Sequence, residues 1–280
     1  MKEYGKHKEE ELKRLKEISN KIRCSIVTMV KDASVGHIGG SLSVTDILVA
    51  LYFKVLNIDP KNPDWENRDR LVLSKGHGAT AIYSVLAERG FFPAKELETF
   101  GIIDSKFQVH PDKTKVPGIE ASTGALGQGL SVAAGMALAA RLDNKDYHTY
   151  AILGDGEIQE GQIWEAAMFS AHYKLDNLTA ILDYNNVQLM GDVPDIMGIA
   201  PVNLKWESFG WNVVETDGHD FEKILTSIDQ ARNTKDGPTI IIADTTKGKG
   251  VSFMQDTCTW HGNVPSDDEY EKAIKELKNL

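Results

Sequence analysis

The chain has 280 residues, 41% hydrophobic and 26% charged, which is ordinary for a globular protein with a sizeable core. Its 41 acidic and 31 basic residues give a formal net charge of −10, which argues against nucleic-acid or anionic-membrane binding. The two cysteines have no motif spacing, which excludes a disulfide framework or a zinc site. The sequence shows no apolar leader and no run approaching about 18 apolar residues, so it predicts a cytoplasmic protein.

The first part of the chain predicts helices around one short strand. Apolar residues recur at helical spacing over 8–32, and 44–56 predict a second, buried helix. The apolar run 70–74 predicts a strand, followed by a loop and a helix that ends near Gly90. Residues 101–122 carry no periodic pattern, so we expect irregular structure there.

From residue 123 onward, predicted strands and helices alternate. In chain order they are helix 130–142, strand 149–153, helix 160–174, strand 178–184, strand 211–216, helix 220–232 and strand 238–244. This alternation indicates an α/β fold of three layers, a mostly parallel sheet with helices on both faces. We expect one domain over 1–280, with its core at about 10–262 and a charged surface helix in the tail 263–280.

The stretch from Gly154 to Asn186 opens with Gly-Asp-Gly and closes with Asn-Asn. Asp155 directly follows one predicted strand, and Asn185 directly follows the next. Parallel strands joined by a right-handed crossover point their carboxyl ends the same way, so this acid and this amide should meet at one edge of the sheet. Open α/β sheets bind their ligands at that edge.

The oxygen atoms of these two side chains suit a hard cation, Mg²⁺ or Ca²⁺, and Mg²⁺ commonly shares its coordination with phosphate oxygens. Gly154 and Gly156 allow close approach of the backbone, and the helix that begins near Glu160 favours an anion at its N-terminus. The pattern therefore predicts a metal-bound diphosphate. Each motif alone more often marks a turn, and a dinucleotide site is the main rival, but the glycines at 124–129 lack its spacing.

Four of the eight histidines lie in separate loops, most of which contain glycine: His37, His77, His110 and His261. Because histidine is accessible in both protonation states near pH 7, four such loops indicate convergence on a polar substrate. The other four are expected to have no catalytic role: His7 and His148 as solvated residues, His172 within a helix and His219 as support for a loop.

The stretch 154–186 resembles the thiamine diphosphate signature, and further motifs narrow the resemblance to transketolase. They include SVGHIGGSLS (34–43), LSKGHGATAIY (73–83), VHPD (109–112), STGALGQGLSVAAGMA (122–137), TDGHD (216–220), TTKGKGVS (245–252) and WHG (260–262). They occur in the family's order and span most of the chain. The resemblance implies the thiamine diphosphate-binding fold, with this chain as the pyrophosphate-binding domain.

The resemblance also implies that the chain is the N-terminal subunit of a split transketolase. A full-length transketolase continues into a second domain, which carries the glutamate that activates the pyrimidine ring and the cations that read a sugar phosphate. We therefore expect the chain to be inactive alone and to act with a C-terminal subunit, in an α2β2 heterotetramer. The substrates implied are a ketose donor and an aldose acceptor, free or phosphorylated, and the pathway stays open between the pentose phosphate route and a specialised one.

For the cofactor, the resemblance implies thiamine diphosphate with Mg²⁺ or Ca²⁺. The metal ligands would be Asp155, Asn185 and the backbone carbonyl of Val187. The other cofactor contacts implied are Gly156 at the diphosphate, the backbone of Gly124, Ala125 and Leu126 at the thiamine, and the side chains of Lys247, His77 and His261.

For the substrate, the resemblance implies roles for the loop histidines. His37 and His261 would transfer protons and bind the donor sugar, while His77 and His110 would position the cofactor phosphate and the donor hydroxyls. Ser41 would add a hydroxyl contact. Glu160, otherwise a helix N-terminal acid, would belong to a proton-linked network between two active sites.

Two alternatives remain at this point. One is another thiamine enzyme with a similar first domain, deoxyxylulose-phosphate synthase or the α subunit of a 2-oxoacid dehydrogenase. The other is a thiamine-binding protein without catalysis, against which the intact acid, amide and four histidines argue.

Overall fold

A computed structural model of the chain describes residues 9–280, so His7 lies outside it. Five parallel strands form one sheet in the order β1-β2-β3-β5-β4. The strands are β1 (Arg70–Leu73), β2 (Thr149–Gly154), β3 (Leu178–Tyr184), β4 (Asn212–Asp217) and β5 (Thr239–Asp244). All carboxyl ends therefore lie at the same edge, which confirms the parallel sheet predicted from the sequence.

Helices cover both faces of the sheet. In chain order the α-helices of residues 9–280 are α1 (Glu9–Ala33), α2 (Ile38–Ala50), α3 (Ala79–Arg89), α4 (Gly129–Leu142), α5 (Gly161–His172), α6 (Val193–Met197), α7 (Val202–Ser208), α8 (Phe221–Asn233) and α9 (Asp267–Leu277). One apolar core joins the sheet to α1, α2, α3, α8 and α9, and a second joins its other face to α4, α5 and α7. The three-layer α/β fold is thus confirmed.

The largest difference from the predicted elements lies at the start of α2. The sequence places this helix at 44–56, but it begins at Ile38 and includes Gly39 and Gly40. Every residue of α2 is buried, so packing overrides the low helix propensity of glycine. The short helices α6 and α7 are also absent from the sequence predictions, because neither is long enough to show a helical period.

A second difference concerns apolar runs. α2 continues into a π-helical turn, and together Ile38–Val55 make an 18-residue segment of mean hydropathy 1.4, long and apolar enough to cross a membrane by composition. The prediction that no run approaches this length was wrong. The segment is 83% buried inside the protein, as a core helix is, since α2 packs against α1 and α3.

The C-terminal helix α9 packs on α1. Ser266 begins it with a capping box to Glu269, which satisfies two N–H groups at the helix start. Ala273 and Leu277 are buried, and the Tyr270 hydroxyl lies 3.1 Å from Thr28 Oγ1 of α1. The helix predicted for the tail is present, and it adds one face to the apolar core.

His148 is buried, so its prediction as a solvated residue was wrong. Its backbone N–H donates to Asp69 at 2.8 Å, and its Nε2 lies 2.8 Å from Thr179 Oγ1. Burial lowers the pKa of His148 to about 3, with smaller contributions from Arg232 and Lys235. The ring is therefore held neutral in the folded protein.

This burial predicts acid sensitivity. Between pH 6.5 and 3 the unfolded chain binds a proton at His148 that the folded chain does not, so stability falls as the pH falls through that window. At pH 5 the loss amounts to about 2 kcal/mol relative to pH 7. Urea unfolding of His148→Gln should show a correspondingly flatter pH profile, whereas His172→Gln, at an exposed helix end, should follow the unchanged protein. Identical profiles for both variants would contradict this account.

Candidate active site

Asp155 and Asn185 meet at the carboxyl edge of the sheet, as the sequence predicts. The register pairs Gly154 at the end of β2 with Asp183 near the end of β3, so the residues that follow are neighbours. The Asp155 carboxylate accepts hydrogen bonds from the backbone N–H groups of Gly156 at 2.7 Å and Asn185 at 3.0 Å, and also from that of Asn186. The loop after β3 is therefore fixed to the loop after β2.

The donor atoms at this edge fit a hard divalent cation. Asp155 is only 4% exposed, and burial, followed by repulsion from Asp183, raises its pKa to about 6. In residues 9–280 the Asp155 carboxylate is bound by N–H groups and by no side-chain cation. A metal ion would compensate this buried charge, and the Asn185 amide and Val187 carbonyl would add two further oxygen ligands. In the described residues no group of three or more His, Cys, Asp or Glu side chains is arranged to hold a metal ion, so a metal here would need amide and carbonyl oxygens beside the Asp155 carboxylate.

Lys247 lies directly beside this donor set. Its Nζ donates to the Val187 carbonyl at 2.8 Å and to Nδ1 of His261 at 3.0 Å. Burial, with repulsion from Lys75, lowers the pKa of Lys247 to about 8. Because an ammonium has only donors, His261 must accept at Nδ1, which leaves the proton of its neutral ring on Nε2.

A buried ion pair that sequence reasoning missed lies beneath the site. Lys75, just after β1, pairs with Asp183 and donates to the Gly40 carbonyl at 2.9 Å. Asp183 also accepts from Ser43 at 2.7 Å and from Thr245, which follows β5. Although burial alone would raise the pKa of Asp183, Lys75 and these hydrogen bonds hold it below its usual value. A charged residue within the otherwise apolar strand LTAILDY was the available signal.

The four loop histidines converge. The ring of His37 lies 5.6 Å from that of His77, 5.7 Å from that of His110 and 5.5 Å from that of His261, measured between centroids. The rings of His77 and His261 are 5.2 Å apart. The sequence prediction of convergence is thus matched by the geometry, and Lys247 links the cluster to the metal donor set through His261.

Three of these histidines have lowered pKa values. Burial lowers the pKa of His37, followed by repulsion from His110 and Lys247. Burial, followed by repulsion from Lys75, lowers the pKa of His77 well below its usual value. Burial, then Lys247, lowers the pKa of His261 to about 3. These rings are therefore neutral at pH 7, and each can both donate and accept a hydrogen bond.

Glycines bring the loops of the site into contact. Gly124 has φ +149°, and a Cβ there would lie 3.0 Å from the His110 ring; one on Gly76 would lie 2.6 Å from the backbone N of Gly124. Ala125 and Leu126 are exposed in the same loop. The expected thiamine-binding backbone thus lies next to the histidine cluster.

Glu157 is a second residue that sequence reasoning missed. It is buried, and its carboxylate accepts from the N–H groups of Gly127 at 2.9 Å and Gly154 at 3.0 Å and from Ser74. Burial raises its pKa. Glu157 therefore joins the 124–127 loop to the end of β2, just before Asp155. No motif in the sequence distinguishes it from the other acids nearby.

The structure supports the predicted roles of Ser41 and Glu160 less directly than those of the histidines. Ser41 is fully buried, donates to the His37 carbonyl at 2.7 Å and accepts from Thr80 at 2.8 Å, so its hydroxyl is already used inside the protein. Glu160 is exposed at the start of α5, and a Cβ on Gly127 would lie 2.8 Å from Glu160 Cβ. Ser41 therefore supports the His37 backbone, and its contact with the sugar stays a prediction.

His219 and His172 are not part of the histidine cluster. His219 Nδ1 is 2.8 Å from Asp46, and its Nε2 accepts from the Thr246 N–H at 2.8 Å. It therefore supports the loop before Lys247, in line with the sequence prediction. His172 is exposed at the end of α5.

Comparison with known proteins gives consistent matches. Residues 15–278 match the family model described as transketolase, thiamine diphosphate binding domain. The chain is 43% identical over 260 residues to the 6-deoxy-6-sulfo-D-fructose transketolase subunit of Clostridium sp. strain MSTE9, covering 93% of this chain and 94% of that one. It is 44% identical over 259 residues to one subunit of the apulose-4-phosphate transketolase of Phocaeicola vulgatus, covering 92% of each.

A solved structure also matches closely. The transketolase of Campylobacter jejuni superposes with a TM-score of 0.90 at 35% identity. The match covers 95% of this chain but only 43% of that one. The chain therefore spans less than half of a full-length transketolase, while it spans nearly all of the two related subunits.

Proposed function

The chain belongs to the transketolase family, as its thiamine diphosphate-binding N-terminal part, and from that premise we propose that it forms the diphosphate half of a two-subunit transketolase. Together with a C-terminal subunit it would transfer a two-carbon ketol unit from a ketose to an aldose. The observation that carries this proposal is the convergence of four histidine rings, with His77, His110 and His261 each within 6 Å of His37. Lys247 joins His261 of this cluster to the Val187 carbonyl, two residues after Asn185.

The residues at the sheet edge would hold the cofactor. Asp155, Asn185 and the Val187 carbonyl would bind Mg²⁺ or Ca²⁺, and the Gly156 backbone and Lys247 would contact the diphosphate. When bound, thiamine diphosphate supplies the nucleophilic carbon and the electron sink on which the transfer depends. The chain's contribution is orientation and charge compensation at the diphosphate end.

The histidine cluster would handle the sugar. Neutral His37 would accept a proton from a donor hydroxyl and return it, and His261 would hydrogen-bond the donor sugar. The Nε2 proton of His261 is fixed by the bond from Lys247 to Nδ1, so this ring presents a donor to the cluster. His77 and His110 would position the diphosphate and the sugar hydroxyls.

A partner chain is part of the proposal. Relatives of similar length are subunits in name, and several of the exposed side chains that follow Val187 are large and apolar. Leu189 and Met190, which follow Val187 closely, are 59% and 74% exposed, and Met197 is also exposed. A partner that completes the cofactor site would cover this surface. An α2β2 assembly, the network role of Glu160 and a cytoplasmic location remain predictions.

The donor and acceptor are proposed only as a class, a ketose and an aldose, free or phosphorylated. The two related subunits are named for different sugars, a sulfonated deoxyfructose and apulose 4-phosphate, although both resemble this chain equally well. Similarity to these two subunits therefore does not select one donor sugar for this chain.

The test is a transfer assay with a panel of ketose donors and aldose acceptors, run on the chain alone and with its co-purified C-terminal partner. We expect two-carbon transfer only when both chains, thiamine diphosphate and Mg²⁺ are present. Pyruvate as donor separates transketolase from a deoxyxylulose-phosphate synthase or 2-oxoacid dehydrogenase activity. Robust turnover by the isolated chain would refute the two-subunit proposal.

A further inference from the structure

Lys247 is a buried cation with uncharged partners. It is 2% exposed, and its hydrogen-bond acceptors in residues 9–280 are the carbonyls of Val187 and Gln188 and Nδ1 of His261. Burying an ammonium whose hydrogen-bond partners are all neutral costs free energy, and Asp155 and Asp183 attract it without a hydrogen bond to it. An anion near Lys247 would therefore stabilise its charged form.

One of those acceptors is also a proposed metal ligand. The Val187 carbonyl accepts from Lys247 Nζ at 2.8 Å, which is a full hydrogen bond. A metal ion that uses this carbonyl would bring two further positive charges to the atom that the ammonium already contacts. Lys75 repels Lys247 while Asp155 and Asp183 attract it, and Lys75 is itself paired with Asp183.

From these contacts we propose that Lys247 makes metal binding conditional on diphosphate, an inference that rests on the proposed function of the site. Without an anion, Lys247 and the metal ion compete for the Val187 carbonyl. With a diphosphate, the ammonium transfers its hydrogen bond to a phosphate oxygen, and the same lysine then favours the bound metal-diphosphate. The metal and the diphosphate are therefore coupled through one side chain, and the coupling is reciprocal.

The test compares two ligands on the full chain by calorimetry: Mn²⁺ alone and the preformed complex of Mn²⁺ with inorganic diphosphate. Lys247→Met, which removes the charge, should bind Mn²⁺ alone more tightly and Mn²⁺-diphosphate more weakly, each by about tenfold, within the usual range for coupling between two ligands. Lys247→Arg keeps the charge and should retain weak binding of Mn²⁺ alone. Lys249→Met, two residues away in the same loop, should behave as the unchanged chain.

The opposite effects of Lys247→Met on the two ligands, tighter binding of Mn²⁺ alone and weaker binding of Mn²⁺-diphosphate, distinguish coupling from a simple contact. If Lys247→Met weakens both ligands, the lysine only supports the fold of the site, and if Mn²⁺ alone is unaffected, it is only a phosphate contact; either result overturns the inference. Failure of the proposed function looks different, because the unchanged chain would then bind neither Mn²⁺ nor Mn²⁺-diphosphate at Asp155.

Discussion

Replacing Asp155 with alanine should weaken metal-dependent binding of thiamine diphosphate to the assembled complex by more than about 100-fold, since loss of an outer-shell partner alone costs 10–100-fold in metal sites. Asp155 is the only proposed metal ligand with a formal charge. Its buried carboxylate also fixes the loop after β3 through Asn185 and Asn186, so alanine removes both the charge and the positioning. Cofactor titration in the presence of Mg²⁺ measures the effect.

A matched control is available on the neighbouring segment. Asp195 is exposed and lies ten residues after Asn185, so Asp195→Ala removes one negative charge without touching the donor set. We expect its cofactor affinity to stay close to that of the unchanged complex. Equal affinities for Asp155→Ala and Asp195→Ala would refute the assignment of the metal site.

Replacing Lys75 with methionine should destabilise the protein by about 3–5 kcal/mol, the usual cost of leaving a buried charge without its partner. Asp183 is 0% exposed, and Lys75, itself 1% exposed, is its only ion-pair partner among residues 9–280. The pair joins the ends of β1 and β3 and reaches α2 through Gly40. Urea unfolding of the isolated chain measures the loss.

Two further variants separate the ion pair from general packing effects. Adding Asp183→Asn to Lys75→Met removes the orphaned charge and should recover more than about half of the lost stability. Lys21→Met breaks the exposed pair with Glu88 and should cost no more than about 1 kcal/mol. A loss for Lys75→Met as small as that for Lys21→Met would contradict the role of the buried pair.

The fold was largely predictable from the sequence because its signals are local. Strand β3, predicted at 178–184, has those bounds in the structure, since a continuous apolar run between turn residues marks a strand buried on both faces. Helix α2 was misplaced because its burial on all sides leaves no amphipathic period to detect. Its glycines also suggested a loop.

The candidate site was predictable where residues follow strand ends. Asp155 and Asn185 are fixed by the parallel topology, and the loop histidines by their glycine-bearing contexts. Lys75 and Glu157 were missed because their importance comes from burial and from side-chain partners distant in sequence, Asp183 for Lys75 and Ser74 for Glu157, which no local pattern shows. His148 was wrongly predicted to be solvated for the same reason: only the packed structure shows that it is buried.

The central claim is that this chain holds the metal-diphosphate end of a thiamine cofactor at Asp155, Asn185 and the Val187 carbonyl. Anomalous diffraction from crystals of the assembled complex with Mn²⁺ and thiamine diphosphate tests it most directly. The account predicts one strong manganese peak in contact with these three oxygen donors, with the diphosphate beside Gly156 and Lys247. A manganese peak elsewhere, with the cofactor ordered away from the ends of β2 and β3, would contradict it.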